Sequence, residues 1–76
     1  MAETTRMRLA MAVALHLGAK GRRGGWVYLN GRPACQGWDA WLMLCERRGW
    51  IVDRGEPFAP HVDWRKVPHP AWQGNG

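Results

Sequence analysis

The sequence predicts a single small α+β domain in the order helix–strand–helix–strand–strand, and three observations lead to that class. The chain has 76 residues, enough for one domain, and 46% of them are hydrophobic, as in globular proteins. Apolar residues recur at helical spacing in two segments, and β-branched and aromatic residues lie between and after these segments. A chain of this length buries only about 60% of its unfolded surface, so its six tryptophans should supply much of a small core.

The first predicted helix covers residues 6–17, in which Leu, Ala and Met predominate. Leu9, Val13 and Leu17 recur every four residues and predict a buried face. The apolar arc is wide, so this helix either lies at the centre of the core or divides its apolar side chains between the core and a partner surface. Two candidate N-cap residues precede it and a glycine stop follows it: Thr4, Thr5 and Gly18.

The segment after this helix predicts a mobile loop followed by a short strand. Residues 18–25 contain three cations and four glycines, and residues 26–29 are all of strand-favouring types. Asn30 and Gly31 are a typical hairpin turn. Pro33 lacks a backbone donor, so it either places the return strand at a sheet edge, prevents the hairpin, or opens a single helical turn.

The second predicted helix covers residues 38–48, and two predicted strands follow it at 50–53 and 61–67. Residues 54–60 form a loop rich in glycine and proline, and residues 68–76 form a flexible tail outside a domain spanning 1–67. Alternation places Val62 and Trp64 on one face of the last strand, opposite Val67. The second predicted helix presents one apolar stripe to the core: Trp38, Trp41, Leu42 and Cys45.

The charge balance favours an anionic partner. Eleven basic residues against six acidic ones give a net charge of +5, and nine of the eleven are arginines. Arginine suits phosphate contacts, although an arginine-rich composition also arises from GC-rich coding sequence. The glycines of the loop allow its cations to approach phosphates closely, and a solvated linker is the alternative role for this loop. The candidate phosphate contacts in it are Lys20, Arg22 and Arg23.

The stretch Trp41–Val52, a Leu-rich helix that ends in two arginines and a glycine before an apolar strand, resembles the end of a winged-helix recognition helix entering the wing. The resemblance covers residues 38–67 and implies a winged-helix-like fold that binds double-stranded DNA. No room exists before residue 38 for the helix that normally precedes a recognition helix. The resemblance assigns contacts with bases to Met43 and Arg47. It assigns contacts between the wing and phosphates to Arg54 and Arg65.

The composition disfavours an enzyme and a cofactor. The chain contains no serine, and no pair of acidic residues is placed by the sequence in a pocket, so we expect no catalytic residues. Cys35 and Cys45 are too few for a disulfide framework and predict free thiols in a cytoplasmic protein. Neither cysteine has a histidine or cysteine at zinc-ligand spacing, so we expect no metal.

A protein-binding module is the alternative function. Tryptophan and arginine are enriched at protein interfaces, and Trp26, Trp64 and Trp72 are expected nearest the surface. The size and composition resemble those of small inhibitors encoded by phages and other mobile elements, which bind bacterial protein complexes. The apolar run Leu9–Leu17 is too short to span a bilayer, so we expect no membrane partner. The sequence leaves the oligomeric state open.

Overall fold

The computed structural model describes residues 2–21 and 25–69, with side chains from residue 5 onward. They form an α+β domain with two helices and antiparallel strands, so the predicted fold class is confirmed at that level. The strands form a three-stranded sheet in the order β1-β2-β3 and a two-stranded sheet of β4 and β5. The elements are α1 Ala2–Leu17, β1 Lys20–Gly21, β2 Trp26–Leu29, β3 Arg32–Gln36, α2 Trp38–Arg47, β4 Ile51–Val52 and β5 His61–Val62.

Helix α1 begins four residues earlier than predicted, so the expected N-caps, Thr4 and Thr5, lie inside the helix. That prediction was wrong because Ala2 and the glutamate after it are good helix formers and extend the first turn past the threonines. The predicted stop at Gly18 is confirmed, with a φ of 73° that favours glycine. The amides of Gly18 and Ala19 donate to the last turn of the helix, as in a Schellman motif.

Helix α1 divides its apolar side chains between the core and the solvent. Val13 and Leu17 are buried together with the alanines beside them, whereas Leu9 is half-buried. On the neighbouring face Met11 is 38% exposed and Leu15 is 85% exposed. The wide apolar arc therefore corresponds to one core face and one solvent face.

The first hairpin forms despite Pro33. Asn30 and Gly31 both have positive φ, 54° and 77°, which is the backbone of a two-residue type I′ turn. Strand β3 pairs only with β2 and lies at the sheet edge, where a proline is tolerated. The prediction of a loop over 18–25 was wrong for Lys20 and Gly21, which pair with β2 as strand β1.

Helix α2 supplies the centre of the core. Trp41 and Cys45 are completely buried, and the indole Nε1 of Trp41 donates to the carbonyl of Ala10 at 2.9 Å, which fixes α2 against α1. The ring of Trp41 also meets the ring of Trp50 edge to face, with centroids 6.1 Å apart. Gly49 ends the helix in a second Schellman motif.

The last predicted strand is mostly a turn. Strand β5 ends at Val62, because the side chain of Asp63 accepts the amide of Arg65 and its carbonyl accepts the amide of Lys66. The predicted alternation over 61–67 therefore fails. Val67 is buried although it was placed away from Val62, and Trp64 is exposed.

Candidate functional site

The exposed face of the three-stranded sheet brings together aromatic and basic side chains. Trp26 and Tyr28 point outward from β2, while Val27 between them is buried. Directly paired residues of neighbouring strands point to the same side of a sheet, so the register extends this surface across all three strands. We call the following side chains the sheet face: Lys20, Trp26, Tyr28, Pro33 and Gln36.

A β-bulge makes this surface continuous. Tyr28 is paired with Pro33, and Val27 is paired with Cys35, so Ala34 is the extra residue in β3. With regular alternation from the outward Pro33, Cys35 would also point outward, because it lies two residues further along the strand. The bulge directs Cys35 inward beside Val27 and keeps Pro33 on the outer surface.

Of the segments 1–17, 18–37 and 38–67, the one that carries the sheet face has the largest net positive charge. Between residues 18 and 37 lie four cations and no carboxylate, whereas residues 38–67 contain five cations and five carboxylates. Four of the five net positive charges therefore belong to the segment 18–37. Within it Lys20 lies on the sheet face, Arg32 is exposed at the hairpin end, and Arg22 and Arg23 lie outside the described residues.

Two depressions flank the pair formed by Lys20 and Tyr28. One has a volume of about 450 Å³, and Gly21, Gly25 and Trp26 complete the part of its lining that the structure describes. The other, of about 360 Å³, lies toward the hairpin turn and includes residues 30–31 in its lining. Glycine backbone lines both depressions, so a ligand can approach the main chain closely at either one.

The opposite side of the three-stranded sheet packs on helix α2 through a close contact of Gly21. A Cβ atom at Gly21 would lie 3.0 Å from Cζ2 of Trp38 and 3.2 Å from a methyl group of Val27. Only a residue without a side chain permits this approach of β1 to the indole of Trp38. The first residue of α2 thereby sets the position of the strand that carries Lys20.

The winged-helix residues lie in three separate places. Met43 and Arg47 lie together on the outer side of α2, where they line a depression of about 280 Å³ beside β3. Arg54 follows β4 in the loop that connects the two strands, whereas Arg65 follows β5. Because β4 and β5 are antiparallel, these two arginines lie at opposite ends of the hairpin, and the structure does not bring them together.

Several charged groups outside the sheet face already have partners within the fold. The Arg6 guanidinium binds the carboxylate of Glu46, with Nε and Oε2 2.6 Å apart, and Asp53 lies 3.8 Å from the same guanidinium. The guanidinium of Arg65 lies 3.5 Å from the carboxylate of Asp63. The Arg6 contacts connect α1 to α2 and to the residue after β4, whereas the Arg65 contact lies within one turn.

Of the three tryptophans predicted nearest the surface, the structure describes two, and both are exposed. Trp26 and Trp64 are each 49% exposed, and Trp72 lies outside the described residues. The ring of Trp64 meets the ring of His16 edge to face with centroids 5.1 Å apart, which joins the end of α1 to the turn after β5. Trp26 belongs to the sheet face.

The cysteines are free thiols, as predicted. Burial raises the pKa of Cys45 to about 12 and also raises the pKa of Cys35. Both thiols are therefore poor nucleophiles at neutral pH. Over residues 2–21 and 25–69, no group of three or more His, Cys, Asp and Glu side chains is placed to hold a metal ion.

The sequence reasoning missed Tyr28 and Gln36. Tyr28 lies within residues 26–29, which were interpreted as a strand without assigning its faces, whereas Gln36 lies in the segment after Pro33, which was not assigned to one structure. The alternation of Trp26, Val27 and Tyr28 is the signal that identifies Tyr28. The position of Gln36 depends on the register of β3 with β2.

Comparison with protein-family models, curated proteins and solved structures finds no match to this chain. Among the described helices, none combines the length and apolar character needed to cross a membrane.

Proposed function

We propose that this protein binds nucleic acid and that the sheet face makes the contact. One observation carries the proposal: Lys20, Trp26 and Tyr28 share an exposed surface within a segment that has four cations and no carboxylate. Cations attract the phosphate backbone, and exposed aromatic rings stack on bases. The combination suits a polyanion that carries flat rings, which is the chemistry of a nucleic acid.

The experiment is a titration of a fluorescent oligonucleotide at several salt concentrations, followed by anisotropy. Binding should weaken with salt, because each neutralised phosphate contributes about 0.7 to the log–log slope for a single strand and about 0.9 for a duplex. Lys20→Ala should weaken binding and reduce the log–log salt slope by the contribution of about one phosphate contact. Arg54→Ala is the matched control, since it removes an exposed cation that lies outside the sheet face. Equal losses in the two variants would contradict the assignment to the sheet face.

Binding of double-stranded DNA in the winged-helix manner is a second candidate. A specific observation favours it: an antiparallel pair of strands follows α2 directly, in the place of a wing, and Arg54 lies in its connecting loop. In this arrangement Met43 and Arg47 contact the major groove, and Arg54 and Arg65 contact phosphates. Arg47→Ala should then weaken duplex binding by a larger factor than Lys20→Ala.

A protein-binding role is favoured by a different observation. Leu15 is 85% exposed, Met43 is 67% exposed, and Phe58 lies exposed in the loop between β4 and β5. Exposed large apolar side chains are features of interaction surfaces. If neither single-stranded nor duplex oligonucleotides bind at low salt, the nucleic-acid proposal is wrong and this role becomes the preferred one.

A further inference from the structure

Trp26 and Tyr28 present two exposed aromatic rings on one side of β2. They are two residues apart on β2, so their Cα atoms are about 7 Å apart along the strand and their side chains leave the sheet on the same side. This spacing is about twice the 3.4 Å rise per nucleotide of a stacked strand. Two consecutive bases can each cover one ring only if they are separated from each other.

Base pairing would prevent this stacking. Within a duplex both faces of a base are covered by its neighbours, so a protein ring reaches a base face only when the base is unpaired, flipped out or at an end. The two rings lie in one strand of an antiparallel sheet and have no wedge-like position from which to separate base pairs. Unpaired bases meet such a surface at no cost in base pairing.

The surroundings of the two rings match a single strand that runs along β2. Lys20 is directly opposite Tyr28, so its ammonium group lies on the same side of the sheet as the Tyr28 ring and is available to a phosphate of a strand that stacks there. The two depressions lie toward opposite ends of β2 from this pair, one at Gly25 and Trp26 and the other at residues 30–31. They leave room for the nucleotides on either side.

We infer that the sheet face selects single-stranded nucleic acid, with two consecutive bases stacked on Trp26 and Tyr28 and their phosphates near Lys20. This inference rests on the proposed function and adds the strandedness and the mode of contact. The charges explain attraction to any nucleic acid, whereas the exposed rings require unpaired bases.

Four labelled probes of equal phosphate number test the inference: oligothymidine, its abasic analogue, an oligouridine and a DNA hairpin. Oligothymidine should bind at least about ten-fold tighter than the abasic analogue, because stacking on an aromatic side chain strengthens binding by about that factor or more per base. It should also bind several-fold tighter than the hairpin, and the oligouridine, whose bases are also unpaired, should bind tighter than the abasic analogue. Binding should quench tryptophan fluorescence, and Trp26→Leu should remove most of the quenching.

Trp26→Leu and Tyr28→Leu keep apolar side chains but remove the flat rings, so each should weaken oligothymidine binding by about ten-fold with little change for the abasic probe. Trp64→Leu is the matched control, because Trp64 is also 49% exposed but lies after β5. Circular dichroism and thermal unfolding establish that the variants fold.

The outcomes separate the inference from the function on which it rests. Equal binding of oligothymidine and its abasic analogue, or tighter binding of the hairpin, overturns stacking on unpaired bases but leaves nucleic-acid binding in place. Oligouridine binding as weak as that of the abasic analogue also overturns stacking, because the bases of oligouridine are unpaired and can cover the rings. Absence of binding to all four probes at low salt overturns the proposed function together with the inference.

Discussion

The sheet segment, residues 18–37, and the helix–hairpin segment, residues 38–67, use charge in different ways. The sheet segment has four cations and no carboxylate, and the helix–hairpin segment has five of each. The sheet segment exposes Trp26 and Tyr28, whereas the helix–hairpin segment buries Trp41 and Trp50. The segment that contains the buried tryptophans Trp41 and Trp50 has balanced charge, whereas the segment with the exposed rings of β2 has a net positive charge.

This difference indicates a division of work between stability and binding. In the helix–hairpin segment the carboxylates of Glu46 and Asp63 accept from arginines or from backbone amides. A structural role explains these groups without any ligand. On the sheet face, exposed rings and positive charge have no such explanation in the fold, and they fit an external anion with aromatic groups.

The largest expected effect is in the helix–hairpin segment. Trp41→Ala should lower the free energy of unfolding by roughly 3–5 kcal/mol, because it removes a completely buried indole together with its hydrogen bond to Ala10. Trp64→Ala, the control, should cost about 1 kcal/mol or less. Chemical denaturation measures both. Similar losses in the two variants would remove the distinction between a buried and an exposed tryptophan.

Gly21 tests how firmly the two segments are joined. Gly21→Ala should destabilise the domain by about 1–2 kcal/mol, because the new methyl group would lie 3.0 Å from the Trp38 ring. Combined with Trp38→Leu, the same substitution should cost clearly less, and a double-mutant cycle measures the difference. A cost that is independent of residue 38 would mean that the strain arises elsewhere.

Glu46 tests whether the charges of the helix–hairpin segment serve stability alone. Glu46→Gln should lower stability by about 1 kcal/mol, because it leaves the partly buried Arg6 guanidinium without its closest carboxylate. Asp39→Asn, which removes an exposed carboxylate from the same helix, should change stability by about 0.5 kcal/mol or less. A stability change in Asp39→Asn as large as that in Glu46→Gln would contradict the structural role of the ion pair.

The smallest effect is a difference in thiol reactivity between the segments. Cys45 is completely buried and its pKa is raised to about 12, so it should react with an aromatic disulfide only as the protein unfolds. Cys35 is half-buried and should react faster, though more slowly than a free thiol, since its pKa is also raised. Labelling of Cys35→Ala and Cys45→Ala at mildly alkaline pH separates the two rates. Rapid labelling of Cys35→Ala would show that Cys45 is accessible.

The local elements were largely predictable from sequence, since each depends on short-range features. Residues 26–29 formed the expected strand, the turn at Asn30 and Gly31 formed as expected, and both helices ended at a glycine. The errors were also local. The strand at 61–67 was overestimated because Asp63 bonds its own following backbone, and such competition is difficult to distinguish from alternation.

The surface could not be predicted in this way. Lys20 was recognised as a candidate phosphate contact, but its position opposite Tyr28 depends on the pairing of a two-residue strand. The winged-helix resemblance covers residues 38–67. Most of the net positive charge and the exposed rings of β2 lie earlier in the chain, in residues 18–37.

The sequence by itself determined the α+β class, the apolar stripe of α2, the hairpin turn and the concentration of positive charge in residues 18–37. Only the tertiary structure decided that the ring of Trp41 packs against that of Trp50, how the bulge at Ala34 orients β3, and which side chains share the sheet face. The physical reason is the distance along the sequence between the residues that determine each property. Periodicity, turns and charge are properties of neighbouring residues, whereas burial and strand register arise from contacts between distant parts of the chain.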